Sequence, residues 1–225
     1  MTADLDLSEQ PLSPDAPAAE RWPEIVRRLR ETHPDVHVAL DHQDPFELLI
    51  ATILSAQTTD VRVNEVTPAL FAAYPDAAAL AAAEREDVEA IIRPTGFFRQ
   101  KARFIQETAQ RLVDAYGGEV PGEMEQLLTL TGVARKTANV VLGEIFGVAE
   151  GVVVDTHVKR LAKRLGFTEE TNAGKVERDL MELLPQEVWI EISSLLIFHG
   201  RRICSARNPD CAACPLVDVC PSAVT

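Results

Sequence analysis

The sequence predicts an all-α protein, and three observations carry that reading. Apolar residues recur at steps of three and four along most of the chain, while no segment alternates convincingly as a half-buried strand would. Helix-capping residues, Asp44 and Asp155 among them, stand immediately ahead of such segments. Gly117, Gly147 and Gly166 stand immediately behind others, where a left-handed residue ends a helix most easily.

In order, residues 22–31 place Ile25, Val26 and Leu29 at helical spacing. Asp44-Pro45-Phe46-Glu47 then supplies an N-cap, a proline at the first helical position and a glutamate at the third. The helix it opens, 45–55, is nearly all apolar and is expected to be the most buried. Residues 60–74 contain Pro68, so a kink or split is expected there. A helix over 84–92 ends at Pro94 and Gly96. Phe98, Ala102, Ile105, Ala109, Leu112 and Tyr116 line one face of a helix over 98–116, closed by Gly117.

A short helix over 123–128 precedes the tight segment Thr131-Gly132-Val133-Ala134-Arg135, after which 136–146 is helical again. Residues 152–154 are briefly extended, and Asp155 caps a helix over 156–165. Helices over 173–184 and 188–200 complete the set before a loop-rich, cysteine-bearing tail.

At 225 residues the chain has room for one large domain or two small ones with real cores. Hydrophobic residues make up 46% and charged residues 25%, an ordinary globular balance, and no run of eighteen apolar residues exists to span a membrane. The N-terminus MTADLDLSEQ lacks the basic-then-apolar order of a targeting peptide, so a cytoplasmic location is expected.

A net charge of −13 argues at first against a nucleic-acid partner. Its distribution softens the objection. Residues 1–20 carry five acids, no base and three prolines, and are expected to form a disordered tail. Bases cluster elsewhere: Arg99, Lys101 and Arg103; Arg135 and Lys136; Lys159, Arg160, Lys163 and Arg164; Arg201, Arg202 and Arg207. Each cluster taken singly reads as a solvated helix face; together they can turn one positive face to phosphates.

The four cysteines, Cys204, Cys211, Cys214 and Cys220, all lie in the last tenth of the chain with the spacing C-x6-C-x2-C-x5-C. Four thiolates on one short segment can converge on iron or zinc. Two disulfides are the alternative, disfavoured by the absence of a secretory signal and by long helical patterns that already supply a core. A single C-x2-C knuckle leans away from a zinc ribbon and toward an iron–sulfur cluster.

The segment LTGVARKTA (residues 130–138) reads as a helix–hairpin–helix, whose second helix offers unpaired N–H groups and a positive dipole end to a phosphate oxygen. A purely structural turn is the plainer reading. Lys136 begins that second helix, where the dipole opposes an ammonium; a solvated lysine is the alternative. Asp155 is either only a cap or also a carboxylate directed at developing positive charge.

LTGVARKTANVV, VVVDTHVKR, FELLIATILSAQTTD and the cysteine tail, in this order, resemble the endonuclease III family of DNA glycosylases from about residue 22 to about residue 221. The resemblance implies two helical domains with the active site in the cleft between them: a helical barrel with the hairpin over 38–149, and a cluster domain made of 21–37 plus 150–225. It implies binding to duplex DNA with a damaged pyrimidine or abasic site, flipping of the damaged base, and excision followed by strand cleavage. Lys136 takes the place of the lysine that attacks C1′ and then supports β-elimination. Asp155 takes that of the aspartate assisting it, and the four cysteines hold a [4Fe–4S] cluster.

Gln57 would fill the gap left by the flipped base and Phe97 would wedge against the opposite strand, although a core aromatic is the alternative for Phe97 and the preferred reading for Phe98. Gly132, Ala134, Arg135, His157 and Arg201 would meet the DNA. A monomer is expected, associated with the nucleoid in a prokaryote.

Two departures stand out. The family's hairpin reads Pro-Gly-Val-Gly where this chain has Thr131-Gly132-Val133-Ala134, so Ala134 is expected to cost on the order of 1 kcal/mol if it must take positive φ. Aromatic residues also replace a smaller wedge. The alternatives are a related mismatch or uracil glycosylase, a non-catalytic hairpin module with a structural metal, and an electron-transfer protein. Lys136 argues against a mismatch enzyme, which normally lacks that lysine.

Overall fold

The computed structural model describes residues 12–224, and every regular element among them is helical. Eleven α-helices follow one another: α1 (Ala18–Thr32), α2 (Pro45–Leu54), α3 (Asp60–Ala73), α4 (Ala77–Ala81), α5 (Arg85–Ile92), α6 (Phe98–Tyr116), α7 (Met124–Leu127), α8 (Arg135–Phe146), α9 (Thr156–Arg164), α10 (Ala173–Leu183) and α11 (Trp189–Arg202). Short 3-10 turns, Arg93–Thr95 and Gln186–Val188, precede α6 and α11. The chain forms two compact units, His37–Val153 and a second made of the segments on either side.

In the unit His37–Val153, α2 is the central element. Asp44 caps it by accepting from the N–H of Glu47 at 2.8 Å, Pro45 opens it, and every residue from Leu48 to Leu54 is buried. Fully burying one such leucine contributes about 1.5–3 kcal/mol. α6 presents Ala102, Ile105, Ala109 and Leu112 to this core and ends at Gly117 with φ 64°. α3 runs unbroken through Pro68, against the expected split. Val63, Val66, Thr67 and Leu70 are buried on both sides of the proline, so packing holds the helix together. α4 carries no apolar periodicity; Asp76 opens it by accepting from the N–H of Ala79 at 2.8 Å.

The second unit packs α11 against α1 and α9. Buried Arg21 of α1 donates to the carbonyls of Leu165 at 2.7 Å and Val219 at 3.1 Å, which fastens the cysteine tail to the helices. Of the stretch expected to be a tail, residues 1–11 lie outside the described residues, and Ala18–Glu20 already form the first turn of α1. α11 does not stop at Gly200 but continues to Arg202. Gly200 is a packing glycine: a Cβ there would lie 2.8 Å from Arg160 Nη2 and 2.9 Å from His157 Nδ1.

Candidate functional site

The hairpin between α7 and α8 is shaped by Gly132. Its φ of +80° suits glycine, and a Cβ would stand 2.9 Å from the Phe104 ring of α6. Thr108 of α6 donates to the carbonyl of Thr131 at 2.6 Å, and Val133 is buried beneath the turn. Ala134 is the N-cap of α8 with φ −104° and ψ 171°, extended backbone open to any residue. The expected strain at Ala134 therefore does not arise. Alanine has no side-chain acceptor, so no side chain caps the first amides of α8 and its positive end is left for an anion. Arg135 is the first residue of the helix; Lys136, exposed, is the second rather than the first.

Gln57 and Phe97 are the only non-glycine residues with positive φ among those described, at 53° and 47°. Each such conformation costs roughly 1–2 kcal/mol for an L-residue. Both are exposed, Phe97 to 65%. The core-aromatic alternative for Phe97 fails. Phe98 is partly buried against the core, with the guanidinium groups of Arg93 and Arg99 5.5 and 5.6 Å from its ring centre.

Asp155 belongs to the other unit. Its Oδ1 accepts from the N–H groups of His157 and Val158, both at 2.8 Å, which leaves Oδ2 outside the cap. His157 is half-buried with Nδ1 3.2 Å from Arg160 Nη2, and burial lowers its pKa, favouring the neutral ring. Arg201 is exposed in the last turn of α11, and Arg202 grips Asp35 through two hydrogen bonds of 2.8 and 2.7 Å.

Cys204, Cys211, Cys214 and Cys220 are free, half-buried thiols that line one cavity of about 40 Å³. Among the described residues no three metal-binding side chains draw close enough for a single ion, so the donors surround a volume rather than a point. Four thiols around one cavity are a donor set that fits an iron–sulfur cluster. Burial pushes the Cys214 and Cys220 thiols up. Arg164 of α9 donates to Cys204 Sγ at 3.1 Å and to the carbonyl of Ser205 at 2.7 Å. His199, buried and held neutral down to about 4, brings Nε2 to 3.5 Å from Cys214 Sγ, while its Nδ1 meets His33 at 3.2 Å.

Three residues here escape sequence reasoning. Arg164, one of a run of bases in the sequence, turns to the cysteines, and nothing local marks His199, whose contacts with Cys214 and His33 are both tertiary. Lys101, which stands between Arg99 and Arg103 in the sequence, is only 4% exposed. It lies three residues after Phe98 and four before Ile105, on the apolar stripe of α6, and that position was the available signal.

The family model described as HhH-GPD superfamily base excision DNA repair protein matches residues 50–186, and that of the iron–sulfur binding domain of endonuclease III matches residues 204–220. Endonuclease III of Synechocystis sp. is 55% identical over 91% of this chain and 93% of the relative. That of Escherichia coli is 41% identical over 88% and 93%. A solved structure described as a trapped endonuclease III–DNA covalent intermediate superposes with a TM-score of 0.86 at 43% identity, covering 91% of this chain and 96% of the other. The chain's cofactor is a [4Fe–4S] cluster, and the matched iron–sulfur segment, residues 204–220, spans the four cysteines that line the cavity. With a hairpin turned by a positive-φ glycine ahead of a helix that no side chain caps, and a cysteine-lined cavity in the segment 204–220, the protein belongs to the endonuclease III family of the HhH-GPD superfamily.

Proposed function

We infer that the chain is a bifunctional DNA N-glycosylase and AP lyase of base excision repair, acting on oxidised pyrimidines in duplex DNA. The observation that carries this reading is Lys136 in the first turn of α8, beside a helix N-terminus with no capping side chain. Backbone amides and the dipole at that end bind a phosphate of the damaged strand, with Arg135 alongside. This holds the sugar within reach of an exposed amine.

The Nζ lone pair of Lys136 attacks C1′ and the bonding electrons of the N-glycosidic bond leave with the base, which takes up a proton. Opening of the sugar gives an imine between Lys136 and C1′. That imine withdraws electrons, a C2′ proton is lost, and the C3′–O bond breaks with the phosphate as leaving group. The strand is nicked, and hydrolysis of the imine frees Lys136. Asp155 has one carboxylate oxygen committed to α9 and uses the other to stabilise positive charge on the sugar and to accept the amine's proton.

Gln57 and Phe97, exposed on left-handed backbone, enter the duplex: Gln57 fills the space of the extruded nucleotide and Phe97 presses on the opposite strand. His157 and Arg201 meet the backbone from the cluster-bearing unit. Bound at the cysteines, the cluster supplies a rigid, charged cross-link for the loop 204–220 and takes no step in the cleavage. The enzyme works as a monomer on nucleoid DNA in the cytoplasm.

Duplexes that differ only in the lesion test this reading. Thymine glycol and oxidised cytosine should be excised and the strand nicked, while an adenine mispaired with 8-oxoguanine should remain. Preferential release of the mispaired adenine would replace this substrate class with the mismatch reading.

A further inference from the structure

One buried ammonium fastens together the loops that carry Gln57 and Phe97. Lys101 Nζ donates to Thr58 Oγ1 at 2.6 Å and to the Thr95 carbonyl at 2.9 Å, and Thr58 Oγ1 itself donates to the Thr95 carbonyl at 2.6 Å. Thr58 adjoins Gln57, and Thr95 stands two residues before Phe97. The backbone N–H of Lys101 also donates to the carbonyl of Phe97 at 3.0 Å. Lys101 is thus tied to both left-handed positions at once.

This arrangement is expensive. The ammonium has no carboxylate among these partners, only a hydroxyl and a carbonyl, and it interrupts the apolar stripe of α6 where an aliphatic side chain would pack without desolvating a charge. Its hydrogen bonds instead fix two loops whose backbones would otherwise relax out of the left-handed region. Both loops end in exposed side chains.

We propose that Lys101 is a positioning residue for base extrusion, holding Gln57 and Phe97 at a set separation so that both enter the duplex in one step. The proposal rests on the roles given to Gln57 and Phe97 above. A loose pair would lose its ordering entropy during insertion, whereas a braced pair has lost it on folding. Lys101 touches neither sugar nor base, so the chemistry at Lys136 on a nucleotide that needs no extrusion is independent of it.

The test compares the cluster-loaded enzyme with Lys101→Met and Thr58→Val on two substrates. One is duplex DNA containing thymine glycol, which must be extruded; the other is a single strand with an abasic site, which needs no extrusion. On the duplex, kcat/KM should fall by about 10- to 100-fold. On the single strand, lyase activity should stay within about twofold of native. Equal losses on both substrates, or no loss on either, would overturn the proposal. If Lys101→Met does not fold, Thr58→Val carries the same comparison, since it keeps the Lys101–Thr95 bond and removes only a hydroxyl. Failure of the native enzyme to form a borohydride-trapped adduct on the single strand would instead count against the Lys136 mechanism.

Discussion

Asp155 Oδ1 lies 2.8 Å from the backbone nitrogen of His157 and caps α9, so one carboxylate carries a structural duty beside its proposed catalytic one. The two duties separate by mutation. Asparagine caps as well as aspartate but has no charge. Asp155→Asn should keep Tm within about 2 °C of native and lower turnover by about 10²- to 10⁴-fold. Asp155→Ala should lose the activity and also about 1 kcal/mol of stability. Thermal unfolding and single-turnover excision read the two effects apart.

The hairpin glycine and its neighbour should behave oppositely. Gly132→Ala forces a Cβ onto φ +80° and against Phe104, and is expected to cost about 1–2 kcal/mol, or roughly 2–8 °C in Tm, with weakened DNA binding. Ala134→Gly acts at an extended residue, so DNA affinity should stay within about threefold because the anion contacts come from amides of α8. Calorimetry and fluorescence anisotropy on both variants check this.

Much of the fold was legible because local rules and tertiary packing agree. The caps Asp44 and Asp155 and the terminators Gly117 and Gly147 mark helix ends that the structure keeps to within a residue or two. Pro68 misled because the proline rule is local while the burial of Val63 and Leu70 on either side is not. α4 was invisible because a run of alanines has no face. At the site, the cysteines and Lys136 stand out by type and spacing. Lys101 and Arg164 were misread as surface charge, because their partners, Thr58 and Cys204, are distant in sequence.

Burial also gives Lys101 a pH signature. Its pKa is pulled from 10.5 down to about 8. Between those values the unfolded chain holds the proton and the folded chain does not, so this group makes stability rise with pH across that window. Below about 8 both states are protonated and the contribution is flat at its least favourable. The Tm of native protein minus that of Lys101→Met should therefore increase from about pH 7.5 to about pH 10. A difference that does not change with pH would contradict the burial of the charge.

The cluster should act as a structural cross-link. Cys214→Ser, or removal of iron by a chelator under reducing conditions, should abolish visible absorption and lower Tm by about 10 °C or more. Arg164→Leu removes a cationic donor from Cys204 Sγ, which favours the more negative, reduced cluster. The reduction potential should then fall by roughly 50 mV, about a tenfold change in a one-electron equilibrium. Absorption spectra and film voltammetry read both.

The most direct measurement is borohydride trapping on a duplex with a thymine glycol or an abasic site, followed by peptide mapping of the adduct. The account predicts a covalent protein–DNA species joined through Lys136 Nζ and its disappearance in Lys136→Ala, with the variant still folded and still carrying its cluster. An undiminished adduct in Lys136→Ala, or one mapped to another amine, would contradict it.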